Sequence, residues 1–365
     1  MKTIHVRSSK GDYKILVGKN LLPRAGTFLS DVFESQSKLM VVSQKNLTPY
    51  LNPILASLKK QGFKVQTHML PDGERAKSEK ELFRLIQTLL AKGFERKDGM
   101  VAVGGGVVSD LTGFAASVYL RGIRYVNVAT TLLAQVDSAI GGKTAIDLPE
   151  GKNLVGSFWP PALVISDVRV LQSLPERELS ASLAEVVKYG MIRDTELFGF
   201  LEKNGRRILQ RDLNALEKII LLSAGIKARV VSSDEFETKG ERMILNYGHT
   251  FGHGIEGALC YGKLVHGEAV AIGMMMGAQL AADLGICPRE LIWRQMKVLL
   301  SFKLPVSIKR FHLKTEAILK VMMKDKKKSQ GLLRFVLPRR IGQVTVEQKI
   351  PVSLIQKIIR LAGGK

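Results

Sequence analysis

Residues 1–18, MKTIHVRSSKGDYKILVG, alternate polar and apolar positions in two runs separated by Lys10-Gly11-Asp12. A period of two broken at a glycine predicts paired strands over 4–7 and 14–17, joined by a turn. Short apolar runs follow at 38–43, 64–69, 100–103, 124–129 and 163–166, with amphipathic stretches such as 79–92 between several of them. Strands alternating with helices predict a parallel sheet covered by helices on both faces. Past about residue 170 the pattern changes. Ser173 and Glu176 stand at capping-box spacing around Pro175, which predicts a long helix starting there. From that point to about residue 330 nearly every stretch reads helical, apart from glycine-rich breaks at 248–257 and 262–267. A run at 332–337 reads as a strand and 352–361 as a helix. The expected organisation is an α/β domain over 1–170 and an all-α domain over 171–365, with a ligand cleft between them.

Composition narrows the partners. The chain has 365 residues, 45% of them hydrophobic and 6% aromatic, which suits an ordinary globular core. Its net charge of +22 is not ordinary. The charge is scattered, with one short run at Lys324–Lys328 and a pair at Arg339-Arg340, and no basic stripe carries interleaved aromatics. That argues against nucleic acid and for a positive field that draws in an anionic small molecule. Cys260 and Cys287 form neither a disulfide framework nor a CxxC knuckle, as in a reducing compartment. The N-terminus lacks the apolar core of a signal peptide, and the longest apolar segment, 269–282, is broken by Gly273, Gly277 and Gln279. A soluble, cytoplasmic protein with no membrane partner is expected.

Three segments carry candidate chemistry. An apolar strand runs into Gly104-Gly105-Gly106 and then a helix expected to begin near Ser109. A tight strand-to-helix turn is the plain reading; a phosphate cradle at a helix N-terminus is the functional one. The spacing is not G-x-G-x-x-G. Second, Gly141-Gly142-Lys143-Thr144 looks like the end of a P-loop, but Asp137 stands where its first glycine belongs, so an NTPase is rejected. Lys143, Lys152, Asn153 and Asp137 remain, in backbone expected to be flexible, as binders of an anionic, hydroxyl-rich ligand. Third, His249 and His253 stand at i, i+4, and His266 follows in His-Gly-Glu. Upstream, Glu185 and Lys188 share a helical face. Two imidazoles and one carboxylate with an open position make the usual catalytic Zn²⁺ set, though the spacing does not say which histidines bind. HExxH is absent. Met274-Met275-Met276 reads as core packing, and Trp159 and Trp293 form no stacking pattern.

In this order, the segments GGGVVSDLTGFAASVYLRG, TTLLAQVDSAIGGKTAIDLPEGKNLVGSFWPP, LPERELSASLAEVVKYG, ILNYGHTFGHGIE and HGEAVAIGM resemble the 3-dehydroquinate synthases, sugar phosphate cyclases of the shikimate pathway. The resemblance spans nearly the whole chain. It implies a Rossmann-like α/β N-terminal domain that binds NAD and an all-α, metal-binding C-terminal domain, a fold related to iron-containing alcohol and glycerol dehydrogenases, in a homodimer. It implies that Glu185, His249 and His266 hold Zn²⁺ or Co²⁺, with His253 handling protons or orienting substrate. Around NAD it implies Asp72, Gly73, Glu74, Lys77, Gly105, Gly106, Val107, Val108, Ser109, Asp110, Thr130 and Thr131. Lys143, Lys152, Val170, Leu171, Gln172 and Ser173 complete that set. Around the substrate it implies Asp137, Lys143, Lys152, Asn153, Lys188, Lys227, Arg242, Asn246, His253 and a lysine of the Lys326-Lys327 pair. Arg121 would reach a neighbouring subunit's substrate. His253, Lys143, Lys188 and Asn246 would carry the catalysis.

The implied reaction oxidises a metal-bound alcohol with NAD⁺, eliminates phosphate, returns the hydride and closes a ring by an aldol step, with no net redox change. Two departures from the family pattern stand out: Ser109 in place of a usual glycine, and Leu148 in place of a frequent histidine, so residue 148 is given no role. A sister cyclase acting on sedoheptulose 7-phosphate or glucose 6-phosphate would not need Lys152, Arg242, Asn246 and Lys326, which suit a carboxylate. A polyol dehydrogenase of the same fold would accumulate NADH. A nucleic-acid binder leaves Glu185, His249 and His266 unexplained.

Overall fold

The N-terminal alternation becomes β1 (Lys2–Val6) and β2 (Tyr13–Gly18), antiparallel, with Ile4 opposite Ile15. The structure, a computed structural model, describes residues 1–259, 263–328 and 333–365; the side chains of 324–328, Lys326 among them, and the whole of Cys260 and Leu332 lie outside the described residues. The chain divides into two compact units, Met1–Leu174 with Leu216–Thr238, and Pro175–Ala215 with Lys239–Lys365.

In the first unit, α1 (Ala25–Leu29), β3 (Lys38–Gln44), α2 (Thr48–Lys60), β4 (Lys64–Leu70), α3 (Glu79–Ala91), β5 (Gly99–Gly104), α4 (Gly106–Val118) and β6 (Arg124–Ala129) alternate as the pattern predicts. A hairpin of β7 (Lys143–Leu148) and β8 (Gly151–Phe158) follows, then β9 (Leu163–Asp167). The seven-stranded sheet has the order β1-β2-β9-β6-β5-β3-β4 and is parallel except for β1. Every residue of β5 is buried, because the strand is paired on both edges and covered on both faces. From β3 the chain steps outward to β4, then crosses back to build β5, β6 and β9 on the other side. That reversal is a topological switch point, where open α/β sheets bind ligands beyond the carboxyl ends of their strands.

The second unit holds α5 (Glu176–Arg193), α6 (Thr195–Leu209), the start of α7 (Leu213–Ser233), α8 (His249–Ala258), α9 (His266–Asp283), α10 (Arg289–Ser301), α11 (Thr315–Lys328) and α12 (Val352–Leu361). It is not all helical: β10 (Phe335–Arg340) and β11 (Gln343–Glu347) form an antiparallel ribbon. Most of α7 belongs to the first unit, where Arg7 and Ser9 donate backbone amides to Ser232 Oγ (2.9 Å) and Glu235 Oε2 (2.8 Å). Such long-range bonds leave no trace in local periodicity.

Four local expectations are corrected. Helix α4 starts at Gly106, not near Ser109, whose hydroxyl bonds back to the Gly106 carbonyl at 3.0 Å. Helix α5 starts at Glu176 with Pro175 as its uncapped entry; the Ser173 hydroxyl is engaged instead by the Tyr50 hydroxyl. Residues 249–258 are helical despite their glycines, because those glycines face close helix crossings. Lys143 lies in a paired hairpin strand rather than in a loop, and Lys152 and Asn153 lie in the second strand of that hairpin, where its register shifts.

Candidate active site

The loops expected at the dinucleotide leave the carboxyl ends of parallel strands. β4 ends before Asp72, Gly73 and Glu74, all exposed; β5 ends at Gly104, before Gly105 and Gly106. β6 ends before Thr130 and Thr131, and β9 ends before the turn Val168–Gln172, which carries Val170, Leu171 and Gln172 and is followed by Ser173. The first turn of α4, with Val107 and Val108, offers helix-start amides and a positive dipole end, while the Ser109 amide already donates to the Gly105 carbonyl at 3.1 Å. Its glycines answer a need for space. Gly105 has an ordinary φ of −84°, while a Cβ on Gly104 would lie 2.4 Å from a Val108 methyl.

Lys77 ties this region together. Its buried ammonium pairs with Asp110 and donates to Asn153 Oδ1, while its carbonyl accepts from the Asp147 amide at 2.8 Å. Asn153 sits at φ 57°, which asparagine tolerates, and its amide donates to Asp147 Oδ1 at 2.8 Å. Burial pushes the Asp110 carboxyl up to about 6, and Lys77 offsets only part of that rise. The other charged candidates of this unit are also paired: Lys152 with Glu74 at 3.5 Å, Lys143 with Glu237, and Lys227 with Asp137 at 2.6 Å. Arg121 is exposed in a turn where Leu120, Arg121 and Gly122 all have positive φ.

The second unit brings Glu185, His249 and His266 together. Glu185 on α5 is 1% exposed; His249 and His266 open α8 and α9. Glu185 Oε1 lies 3.6 Å from His249 Nε2 and 3.8 Å from His266 Nε2, and the three ligand atoms lie within 4.8 Å of one another. Glycine sets these spacings. A Cβ on Gly267 would lie 1.8 Å from the Ala181 carbonyl oxygen, and one on Gly273 would lie 2.0 Å from that of Gly248. Only a bare backbone lets α9 approach α5 and α8 that closely.

A divalent cation fits this donor set. Both Glu185 oxygens are buried without a well-formed hydrogen bond, although the Lys188 ammonium pairs with the carboxylate. Lys188 pairs with Oε2, which leaves Oε1, the oxygen facing both histidines, buried without a hydrogen bond and costly unless a second cation meets it. Burial, then the charge of Lys188 and the neighbouring histidines, holds His249 well below the ordinary histidine range, so its imidazole is neutral and able to ligate. Burial lowers His266 too, but a hydrogen bond that it donates to Glu256 and the charges of Glu256 and Glu185 carry it above its ordinary value. His253 is exposed on α8, its ring 5.4 Å from that of His249. It forms an overlapping donor group with Glu256 and His266. Arg242 is buried and Asn246 exposed in the turn Glu241–Asn246.

Sequence reasoning gave no role to Glu237, Glu256 or the Arg177–Glu268 pair. Arg177 grips Glu268 through two hydrogen bonds of 2.9 and 2.8 Å, and Glu268 also accepts from the Val265 amide, anchoring the turn that carries His266. Glu268 left no capping signal in the sequence, because Val265 rather than a serine or threonine stands three residues before it. Partners such as Glu237 are distant in sequence and gave none.

Two family models match this chain, 3-dehydroquinate synthase N-terminal over residues 67–181 and 3-dehydroquinate synthase C-terminal over residues 182–328. It is 42% identical to the 3-dehydroquinate synthase of Thermodesulfovibrio yellowstonii over 98% of this chain and 99% of that protein. Among solved structures it resembles 2-epi-5-epi-valiolone synthase from Streptomyces hygroscopicus with NAD⁺ and Zn²⁺ bound, at TM-score 0.88 and 26% identity, covering 98% of both chains. It resembles equally 2-deoxy-scyllo-inosose synthase complexed with carbaglucose-6-phosphate, NAD⁺ and Co²⁺, at TM-score 0.88 and 26% identity over 99% of this chain and 100% of the other. Glycerol dehydrogenase from Schizosaccharomyces pombe shares the fold at TM-score 0.66 and 18% identity, over 96% and 88%.

Proposed function

This chain is a member of the 3-dehydroquinate synthase family, and from that premise we propose how its residues divide the work. The enzyme is a carbon–oxygen lyase that converts 3-deoxy-D-arabino-heptulosonate 7-phosphate to 3-dehydroquinate and phosphate, the second step of the shikimate pathway. Its cofactors are NAD and a divalent ion, Zn²⁺ or Co²⁺. The observation that carries the residue assignment is the convergence of Glu185, His249 and His266.

When bound, NAD supplies a reversible hydride acceptor and the divalent ion a Lewis acid for a substrate oxygen. Glu185, His249 and His266 would hold the ion. The Gly105-Gly106 turn and the amides of the first turn of α4 would take the dinucleotide phosphates. Lys143, Lys152 and Asn153 on the hairpin, and Lys188, Arg242 and Asn246 in the helical unit, would bind the carboxylate, phosphate and hydroxyls of the substrate. Oxidation of the alcohol acidifies the neighbouring C–H. His253, exposed on α8 beside His249, would take up and return protons during elimination and ring closure.

A homodimer in the cytoplasm completes the proposal, with Arg121 offered to a neighbouring subunit. The exposure of Arg121, in a turn of positive φ at Leu120, Arg121 and Gly122, supports that part. Among the described residues no helix is long and apolar enough to cross a membrane.

The substrate test is a comparison. Supplied separately with the heptulosonate phosphate and with sedoheptulose 7-phosphate, the enzyme should release phosphate only from the former. Turnover of the sugar phosphate that lacks a carboxylate would overturn the substrate assignment.

A further inference from the structure

Glu256 lies on α8 with His249, is 8% exposed, and presents both carboxylate oxygens to His266 Nδ1 at 3.4 Å each. The opposite edge of the same ring, Nε2, faces Glu185 Oε1. His249 is arranged alike: Nε2 faces Glu185, and Nδ1 lies 3.1 Å from the Tyr247 carbonyl. A ligating imidazole needs an acceptor on its second nitrogen to fix the tautomer and the ring plane. Tyr247 offers His249 a backbone oxygen, and Glu256 offers His266 a side chain.

We propose that Glu256 is a positioning residue that accepts a hydrogen bond from the Nδ1–H of His266 and so directs the Nε2 lone pair toward the Glu185 side. The inference rests on the reading of Glu185, His249 and His266 as metal ligands. A different use of the same atoms would be a second ion held by His253, Glu256 and His266, which also lie within 4.8 Å of one another. Serving both ions would strip His266 of its remaining proton, and His253 is solvent-exposed, so a hydrogen-bonded role for Glu256 is favoured.

The test is Zn²⁺ affinity by chelator competition, with the metal stoichiometry, the Co²⁺ absorption spectrum and the melting temperature of each metal-free protein. Glu256→Ala should weaken Zn²⁺ binding about 10–100-fold and alter the Co²⁺ spectrum. Glu256→Gln keeps an acceptor oxygen and the volume, so it should melt like the parent and retain most of the affinity. The parent chain should bind one ion. Parent-like affinity in Glu256→Ala, a glutamine variant as weak as the alanine one, or two ions per parent chain would each overturn the proposal. His266→Ala serves as the control: full Zn²⁺ binding there would instead overturn the ligand assignment itself.

Discussion

Asp110 links a residue's environment to a measurable pH dependence. Its carboxyl is raised to about 6 by burial, against roughly 3.9 in an unfolded chain. A raised acid contributes its stability in full below about pH 4 and loses it as pH rises through about 6. Asp110→Asn stays neutral throughout and should lack that decline. Between these pH values the parent chain should lose about 3 kcal/mol more than the variant, read from urea melts. Parallel profiles would contradict the assignment. If Glu185, His249 and His266 hold the ion as proposed, His249→Ala and Glu185→Ala should purify without stoichiometric metal. His253→Ala should keep its metal and lose turnover by about 10²–10⁴-fold, as removal of a proton-handling group does. Equal metal content in all three variants, by elemental analysis, would contradict the division of roles.

Elements set the distances that those residues need, and here glycine is the instrument. Gly267→Ala would drive a methyl into the Ala181 carbonyl and should cost about 1–3 kcal/mol or more, with reduced metal content, because α9 must retreat from α5. Gly199→Ala on α6 meets nothing within 4 Å and should instead stabilise by about 0.5–1 kcal/mol. Thermal melts of the two variants check the contrast; similar shifts would remove the argument from close approach. The strands of the sheet were legible because their apolar runs are short and bounded, as at Met100–Val103 inside β5. Glycine's low helix propensity makes α8 resemble a break in the sequence, and the reason for its glycines lies on other helices. The β10–β11 ribbon was half visible: only its first strand formed an apolar run.

At the scale of the whole molecule, the alternation that changes near residue 170 marks the passage from the sheet unit to the helical one. The return of Leu216–Thr238 to the first unit was invisible, since it depends on bonds to Asp137 and to the first ten residues. The clustered histidines stand out in the sequence by themselves as candidate ligands. Glu185 was singled out only by the family pattern, and the pairing of Lys143 with Glu237 needed the fold. The net charge of +22 suits an enzyme whose substrate carries a carboxylate and a phosphate, although the hairpin and α7 lysines that would bind it are already paired with carboxylates. The central claim is a reaction that borrows and returns a hydride. Its most direct test is to incubate the enzyme with 3-deoxy-D-arabino-heptulosonate 7-phosphate, NAD⁺ and Zn²⁺ or Co²⁺, following phosphate and nicotinamide absorbance together. The account predicts continuous phosphate release and 3-dehydroquinate formation with no net accumulation of NADH. Sustained NADH production in step with turnover would contradict it.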